Sequence, residues 1–445
     1  MLKKIFIISL IILITIISNY LTGFSAQKSD HKISPVFETR PTFDDENFDA
    51  DDPAIWVNKE NRNDSLVICT LKKGGLDVYN LNGKLLQYIK AEGPANNNTE
   101  NKAGRYNNVD IIYGLKLGKK EVDLAVVSDR GYDKLRIFLI NQNKKTNDNN
   151  YITEITAPDQ PWIFSNTQEE VNNKKTAYGL AVTQPIHRKK HAIAFVSQND
   201  TTSIAKIQLH GTADGKIGYT LLSEFDLPEN FILPNGDCWS PFHDDSEEKS
   251  HIEGMVVDDE NNTLFLAQEQ IGIWKTSITN SKCNLELIDK VNEYGVPYER
   301  LWDEEEEEYT CERLWDEDKN YGSDYLSEDV EGLTIYNCGN KNGYLMASSQ
   351  GSNTFVVYDK VSNDYISEFK IESSKNIDGS QECDGIHVTN MNLGNKFPNG
   401  LLVTQDGDNT PKYLDKNGES RISTNFKFVD WKDIASKFNL TINNK

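Results

Sequence analysis

Short apolar segments alternate with polar loops along almost the whole chain. The segment that begins at His251 reads HIEGMVVDDENNTLFLAQEQ, and the segment that begins at Asp329 reads DVEGLTIYNCGNKNGYLMASSQG. Each passes from an acidic residue and a glycine into an apolar strand, and then through a polar loop into a second strand. Such short alternating segments are typical of β-strands. Amphipathic helical segments are nearly absent apart from WKDIASKFN near the C-terminus, so the pattern predicts an all-β protein.

The same order of strand, loop and strand occurs six times. The four further copies begin at Asp52, Val109, Tyr178 and Asp384. Successive copies start about 50 to 80 residues apart, and a third short strand follows each of the first five. Repeats of three or four antiparallel strands are typical of β-propellers, so we predict six mostly four-stranded blades around a central channel. Two stacked sandwiches would not explain why every copy keeps the same internal order.

The repeat places polar residues in equivalent positions around the channel. The residues that open the copies are predicted to form one ring: Asp52, Asp110, Tyr178, Glu253, Glu331 and Asp384. The ends of the second strands supply another set: Lys72 and Lys73, Arg130, Asn199 and Asp200, Glu269, Gln350, and Asp406. Carboxylates this close cannot all stay ionised and unpaired, and all-oxygen ligands favour calcium over zinc. The alternative for any single acid is a hydrogen bond to a backbone amide.

The charge balance excludes several classes of partner. The chain has 47 Lys and Arg against 69 Asp and Glu, which gives a net charge of −22. A surface this acidic repels nucleic acid and anionic membranes, whereas it attracts cations. We therefore expect neither nucleic acid nor, once the N-terminal segment is removed, a membrane as a partner.

The N-terminal residues have the pattern of an export signal. Lys3 and Lys4 precede a nearly continuous apolar run from Ile5 to Ile17. The sequence predicts a signal peptide over residues 1–26 and a secreted or periplasmic protein, and the alternative is an uncleaved anchor. Residues 27–445 are predicted to form a single propeller domain.

An acidic insertion at about residues 299–320 repeats ERLWDE and is predicted to be a surface loop. A solvated run of charge is the simpler interpretation, and an additional calcium site is the alternative. The six cysteines form no CxxC pair, which disfavours a zinc ribbon. A disulfide between Cys238 and Cys311 is one hypothesis, because both lie in acidic, loop-like segments.

Seven short motifs occur in a specific order: DADDPAIW, NNVDI, EGM, DVEGLTIY, ASSQG, DGIHV and QDGDN. Together they resemble the β-propeller phytases, also called alkaline phytases, and the resemblance extends from about Asp49 to the final NFKFVDWKDIASKF. It implies a calcium-dependent phosphoric monoester hydrolase of the 3-phytase type, with several calcium ions. The implied substrate is myo-inositol hexakisphosphate (phytate), as its calcium salt, and the implied enzyme is a monomer. Water held by bridging calcium ions would attack phosphorus directly, without a phosphoenzyme.

The resemblance also assigns roles to individual residues. The implied catalytic residues are Glu253, Glu269 and Glu331. The implied phosphate contacts are Lys72, Arg130 and Tyr178. The implied calcium ligands, at the active mouth or in structural sites, are Asp51, Asp52, Glu253, Glu269, Asp329, Glu331, Gln350, Asp378, Asp384 and Asn409.

The chain departs from the family pattern at three places. One residue fewer precedes the paired aspartates in DADD, and NNVDI continues with Ile112 where the family usually has arginine. Asn199 stands where a further phosphate-binding lysine is expected. The last departure removes a positive charge from the phosphate site.

Two other functions remain open at this point. One is a catalytically weak, calcium-stabilised propeller that binds phosphorylated ligands or partner proteins, which the loss of a lysine at Asn199 favours. The retained Lys72, Arg130 and Tyr178, together with the acidic ring, favour the enzyme. The other is a six-bladed lactonase or other calcium hydrolase on the same fold. Such enzymes act on neutral substrates and need no lysine and arginine beside the ring.

Overall fold

The computed structural model of the chain describes residues 32–43, 48–141, 150–185, 191–241, 250–279, 284–303, 308–313 and 321–443, with the backbone alone for residues 298–303 and 308–313. The architecture below is that of the compact unit Ile33–Lys445. The predicted signal peptide at residues 1–26 lies outside the described residues and stays a prediction.

Six antiparallel sheets form the blades of a propeller, which confirms the predicted fold. Blade 1 contains β4 (Pro53–Trp56), β5 (Leu66–Thr70), β6 (Gly75–Asn80) and β7 (Leu85–Lys90). Blade 2 contains β8 (Tyr106–Leu117), β9 (Lys120–Asp129), β10 (Lys134–Ile140) and β11 (Ile152–Glu154). Blade 3 contains β12 (Ala177–Val182), β13 (His191–Gln198), β14 (Ser203–Gly211) and β15 (Ile217–Asp226).

The fourth and fifth blades repeat this order. Blade 4 contains β18 (Ile252–Asp258), β19 (Thr263–Gln268), β20 (Gly272–Ser277) and β21 (Glu286–Lys290). Blade 5 contains β24 (Val330–Gly339), β25 (Asn342–Ser349), β26 (Thr354–Asp359) and β27 (Tyr365–Ile371), with the short edge strand β1 (Lys32–Ile33). The first strands of neighbouring blades contact one another around a closed ring, so that they line the channel.

Blade 6 combines a strand from the N-terminal region with strands from the C-terminal region. Its strands are β28 (Ile386–Thr389), β29 (Leu401–Asp406), β32 (Ser423–Asp430) and β2 (Phe37–Glu38). A further short strand, β3 (Thr42–Phe43), pairs with the start of β32. The outer strand therefore comes from the N-terminal region, which explains why the sixth copy of the repeat has no complete set of strands of its own. This pairing closes the ring.

The remaining elements are short. Three small hairpins are β16 (Phe231–Ile232) with β17 (Cys238–Trp239), β22 (Tyr298–Asp303) with β23 (Glu308–Arg313), and β30 (Tyr413–Leu414) with β31 (Ser420–Arg421). Single 3₁₀ turns span Arg62–Asp64, Ala95–Asn97 and Gln350–Ser352. The α-helices are α1 (Gln168–Asn172) and α2 (Trp431–Phe438). The second confirms the helix predicted from WKDIASKFN, and the Asp430 side chain caps it by accepting a hydrogen bond from the Lys432 amide at 3.0 Å.

Within the described residues, no helix is both long enough and apolar enough to cross a membrane. The hairpin β22–β23 corrects the prediction of a simple loop at about 299–320, since part of this insertion is ordered as paired strands. Residues 304–307 and 314–320 lie outside the described part. Cys238 carries a free thiol, and the side chain of Cys311 is among those not described, so the hypothesis of a disulfide between them gains no support.

Candidate active site at one mouth of the channel

The strand registers identify the residues that form the inner ring. In each blade one residue of the first strand pairs with the equivalent residue near the end of the second strand. These first-strand residues are Pro53, Val109, Leu180, Met255, Leu333 and Ile386. The residues two positions before them form the ring: Asp51, Asn107, Tyr178, Glu253, Glu331 and Asp384. The ring predicted from the sequence is therefore correct at four positions. Asp51 and Asn107 take the places predicted for Asp52 and Asp110.

Both misplaced aspartates connect neighbouring blades instead. Asp52 Oδ2 accepts a hydrogen bond from the Val109 amide at 2.9 Å, and Asp110 Oδ2 accepts one from the Val182 amide at 2.9 Å. β8 has a register shift between Tyr106 and Val109. The same shift occurs at the equivalent place in β12, β18 and β24, so the bulge belongs to the repeat. The strand pairing, and not the bulge, shows that Asn107 is the ring residue of blade 2.

A glycine follows the ring residue in blades 3 to 6 because the next blade lies too close for a side chain. A Cβ at Gly254 would lie only 1.6 Å from the carbonyl oxygen of Glu331. A Cβ at Gly179 would likewise lie 2.2 Å from the carbonyl oxygen of Glu253. The recurrent pair of acid and glycine thus has two functions: the acid faces the channel, and the glycine lets the inner strands pack.

Three glutamates converge at the mouth. Glu253 and Glu331 come from β18 and β24, and Glu269 follows β19 directly. Each offers a carboxylate oxygen, and these oxygens lie within 4.8 Å of one another. All three side chains are buried. Clustered, buried carboxylate oxygens at this spacing can hold a divalent cation with a preference for oxygen ligands.

Several oxygens of this mouth are not satisfied by the described protein. Both carboxylate oxygens of Asp51 and Oε2 of Glu331 are shielded from solvent and have no hydrogen-bond partner among the described residues. Burial raises the pKa of Glu331 well above its usual value, and repulsion from Glu269 and Glu253 adds to the effect. Burial likewise raises the pKa of Asp51, although Lys72 opposes the shift. A bound cation would relieve both costs, so the residues present fit a metal site.

Lys72 lies among carboxylates on the other side of the ring. Its Nζ lies 3.1 Å from Asp49 Oδ2, 3.2 Å from Asp384 Oδ2 and 3.9 Å from Asp51 Oδ1. The Gln350 side chain donates a hydrogen bond to the other oxygen of Asp384. Burial raises the pKa of Asp384 to about 6, although Lys72 opposes the shift. Both predicted ligands, Asp384 and Gln350, therefore lie at the mouth beside the predicted phosphate contact Lys72.

Arg130 and Tyr178 face the glutamate cluster. The Arg130 guanidinium lies over the Tyr178 ring, 4.8 Å from its centroid, and the Tyr178 hydroxyl donates a hydrogen bond to Glu253. Burial lowers the pKa of Arg130, and the nearby positive charge of Arg105 lowers it further. A bound anion would oppose both effects, because it favours the charged form of Arg130. The structure therefore brings cations for a phosphate next to carboxylates for a metal.

Comparison with known proteins agrees with this geometry. The family model described as Phytase matches residues 3–184 and 301–444. A "3-phytase" of Bacillus subtilis (strain 168) is 30% identical to this chain over 411 residues, which covers 91% of this chain and 85% of the relative. This chain belongs to the phytase family.

Two residues of this phytase-family site were not assigned from the sequence. Asn107 donates a hydrogen bond from Nδ2 to Glu253 Oε1 at 2.7 Å. His251 Nε2 lies 3.0 Å from Glu269 Oε1, and the His251 ring packs edge-on against Tyr178. Burial alone would lower the pKa of His251, but Glu269 outweighs it and raises the pKa to about 9. Both residues fix the orientation of glutamates. Asn107 is the first residue of the motif NNVDI, and His251 precedes the motif EGM by one residue.

Asn199 occupies the position where the family pattern has lysine. It is 1% exposed, and neither polar atom of its side chain has a hydrogen-bond partner among the described residues. In the repeat it is equivalent to Lys72, Arg130 and Glu269, since each lies three residues beyond the second-strand residue that pairs with the equivalent first-strand position. The phytase-family mouth therefore carries a neutral amide here, and no positive charge.

Asp329 lies beside the glutamate cluster. The Gln270 side chain donates a hydrogen bond to Asp329 Oδ1 at 3.1 Å, and the charge of Asp329 contributes to the raised pKa of Glu269, after the larger effect of burial. Asp52 Oδ2 holds the Val109 amide, and burial, with a smaller contribution from the charge of Glu253, raises the pKa of Asp52. Its role as a calcium ligand stays a prediction.

Asp378 and Asn409 also lie elsewhere, around the ammonium group of Lys427. Asp406, predicted to lie at the mouth, is there too, 3.1 Å from Lys427 Nζ. The prediction allowed Asp378 and Asn409 to bind calcium in a structural site, whereas the predicted place of Asp406 at the mouth is wrong.

Proposed function

We propose that this chain is a calcium-dependent phytase of the 3-phytase type, which hydrolyses phosphomonoesters of phytate presented as the calcium salt. One observation carries the proposal: Glu253, Glu269 and Glu331 offer oxygens within 4.8 Å of one another, next to Arg130 and Tyr178. A carboxylate cluster alone would suit any calcium protein. The positive charges of Arg130 and Lys72 beside it add the specificity for a phosphorylated substrate.

The carboxylates of the mouth hold the metal ions in this proposal. The ligands are Glu253, Glu269, Glu331, Asp51, Asp329, Gln350 and Asp384. Asn107 and Tyr178 fix both oxygens of Glu253, and His251 fixes Glu269, so that the ligands are positioned before any ion binds. Bound calcium would neutralise phosphate oxygens and lower the pKa of water, which then attacks phosphorus without a phosphoenzyme.

Arg130 and Lys72 are the proposed phosphate contacts. The two come from the neighbouring blades 1 and 2, and two separate cations suit a substrate with several phosphates. Lys72 is paired with Asp49 and Asp384, so its ammonium group is held at the mouth. Charge-assisted hydrogen bonds from both cations would orient the substrate for in-line attack.

The proposal also includes export and a monomeric enzyme. The N-terminal pattern that predicts a signal peptide supports secretion or a periplasmic location. The excess of acidic residues suits an environment rich in calcium.

The deciding experiment measures phosphate release from phytate in calcium and in EGTA. We expect release in calcium and its loss in EGTA, with recovery when calcium is restored. A neutral ester serves as the control substrate, because a lactonase or general esterase would cleave it. Phytate that binds, as measured by calorimetry, without releasing phosphate would instead support the binding-only propeller, which the neutral Asn199 favours.

A further inference from the structure

A cavity of about 430 Å³ lies at the end of the channel opposite the active mouth. The residues that line it include Val57, Tyr113, Gln184 and Asn390. Each of these four lies six residues after the ring residue of its blade, in blades 1, 2, 3 and 6. A strand advances about 3.3 Å per residue, so this end of the channel lies roughly 20 Å along the strands from the ring. The cavity is therefore separate from the active mouth.

The walls of the cavity are largely apolar. Ile55 and Val57 come from the end of β4 and the residue after it, Ile111 comes from β8, and Met391 follows β28. The volume falls within the roughly 300 to 1,000 Å³ that is usual for small-molecule sites in proteins. The cavity can therefore cover the apolar part of a small ligand.

The polar groups of two wall residues already serve the fold. The Gln184 side chain accepts a hydrogen bond from the Tyr113 amide at 2.9 Å and donates one to the Ile111 carbonyl at 2.7 Å. The Tyr113 hydroxyl accepts a hydrogen bond from the Val57 amide at 2.9 Å. These contacts join blades 1, 2 and 3 around the cavity, so its walls are fixed before a ligand enters.

Two cations lie at the cavity without a carboxylate partner among the described residues. Lys59 Nζ lies over the Tyr113 ring, 5.1 Å from its centroid. Arg62 Nη1 is shielded from solvent and has no hydrogen-bond partner in the described part of the chain. Asp110 is the only carboxylate among the described lining residues, and both of its oxygens accept hydrogen bonds from backbone amides. A shielded guanidinium group without a partner costs free energy, and an anion would remove that cost.

His387 adds a further hydrogen-bonding group to the same cavity. Its Nδ1 is shielded from solvent and has no partner among the described residues. Burial lowers the pKa of His387 to about 4, so the ring is neutral near pH 7 and carries one donor and one acceptor nitrogen. A neutral imidazole can donate a hydrogen bond to an oxyanion while adding no charge of its own.

These features together select the chemistry of the ligand. Arginine binds a carboxylate through two parallel hydrogen bonds. Inorganic phosphate has no apolar part to cover the walls, and a neutral apolar molecule would leave the Arg62 guanidinium without a partner. An organic molecule that carries a carboxylate on an apolar body satisfies both requirements.

We propose that this cavity binds a small organic carboxylate, with the carboxylate at Arg62 and the apolar body between Ile55, Ile111 and Met391. Lys59 at the exposed rim adds attraction for the anion. The inference does not rest on the proposed phytase activity, because its readouts are ligand affinity and the position of the bound ligand.

The first test measures binding of 3-phenylpropanoate to the calcium-loaded protein by isothermal titration calorimetry. We expect one molecule per chain and a Kd that Arg62→Gln raises by at least about tenfold, the scale for loss of one charge-assisted contact. The matched control is Arg130→Gln, which removes an arginine at the active mouth and should leave this Kd unchanged. No binding, equal affinity in Arg62→Gln, or a larger loss in Arg130→Gln would overturn the proposal.

Two further probes test the class of ligand. The amide 3-phenylpropanamide keeps the apolar body without the charge, and inorganic phosphate keeps a charge without the apolar body. We expect the binding that depends on Arg62 to be at least about tenfold weaker for both probes than for 3-phenylpropanoate. Equal affinity of the amide would contradict recognition of an anion. Equal affinity of phosphate would contradict a role for the apolar walls.

The second measurement locates the ligand by NMR of the histidine rings. The chain has seven histidines, and the His387 signal is the one that is missing in His387→Gln. Saturating 3-phenylpropanoate should shift this signal in the parent and in Arg130→Gln. An unmoved His387 signal would place the ligand elsewhere and overturn the proposal. This measurement needs no substitution at Arg62, so it decides the question even if Arg62→Gln does not fold.

Discussion

At the scale of single residues, Glu253 and Glu331 are the central ligands of the proposed metal site. Each is a buried carboxylate that faces the channel. Together with Glu269 they form a cluster in which one carboxylate oxygen of each lies within 4.8 Å of the others. Glutamine keeps the shape and one acceptor oxygen but loses the charge that would hold a cation. Residues of this kind can be tested without disturbing the backbone.

Glu253→Gln and Glu331→Gln should each lower phosphate release from calcium phytate by at least about a hundredfold, the scale for loss of one electrostatic stabiliser. Strand pairing needs only the backbone, so circular dichroism should remain that of a β-protein. Excess calcium should partly rescue a single variant, because it restores occupancy of a weakened site. A folded double variant that releases phosphate at the parental rate would contradict the assignment.

Asn199→Lys should tighten phosphate binding. The substitution restores a positive charge at a position whose buried amide has no partner, and a charge-assisted contact contributes roughly 1.5 to 3 kcal/mol. The measurement is KM and kcat on phytate. Asn150→Lys, at an exposed position, controls for the change in net charge. Equal kinetics in both variants would show that the added charge at position 199 does not reach the substrate.

His387 should make the fold sensitive to mild acid. Burial lowers the pKa of this imidazole to about 4, whereas an unfolded histidine titrates near 6.5. Above pH 6.5 both states are neutral; as the pH falls towards 4, only the unfolded state gains the proton. The parent should therefore lose up to about 3 kcal/mol of stability over this window, and His387→Gln should lose less. Urea unfolding of both proteins at pH 7 and pH 4 measures the difference, and identical losses would exclude His387 as the cause.

The inner strands depend on glycine at the element scale. Each glycine that follows a ring residue in blades 3 to 6 has the backbone of the next blade against it, and the distance for a Cβ at Gly254 is the shortest of these. The ring residue places its side chain at the channel, and the glycine after it allows the neighbouring blade to pack.

Gly254→Ala should destabilise the protein by at least about 3 kcal/mol, because the two inner strands must separate to admit the methyl group. Gly93→Ala is the matched control, since a Cβ there would have no atom within 4 Å, and its effect should stay within about 0.5 kcal/mol. Thermal unfolding of the two variants measures the contrast. Equal melting temperatures would mean that the blades adjust without cost.

At the scale of the whole molecule, calcium should stabilise the fold as well as support the proposed activity. The acidic mouth gathers ring residues from several blades, so an ion bound there would hold those blades together. Binding to the native state alone adds about 3 kcal/mol at a hundredfold excess over Kd.

We therefore expect a clear fall in melting temperature when EGTA replaces calcium. Magnesium should restore less of the melting temperature than calcium does, because Mg²⁺ loses its bound water molecules reluctantly and requires nearly ideal octahedral geometry. Coincident melting curves in calcium and EGTA would contradict a stabilising site at the mouth.

The sequence by itself determined the repeat and therefore the fold. Alternation within strands and the recurrence of one pattern six times are local properties of the chain, and they suffice to predict six blades. Equivalent positions of a repeat must also converge on the axis, which is why Tyr178, Glu253, Glu331 and Asp384 were placed correctly in the ring. The resemblance to the family assigns roles to Lys72 and Arg130, and these roles stay predictions.

Only the tertiary structure decided the register and the partners. The pairing of β8 with β9 places Asn107 rather than Asp110 in the ring, because Val109 pairs in β8 as Met255 and Leu333 do in their strands. The chain's closure through β2 brought Glu38 to Lys427 across 389 residues, a contact that no local pattern encodes. Whether a carboxylate faces a metal or a lysine depends on which distant side chain fills the space beside it, and packing alone settles that.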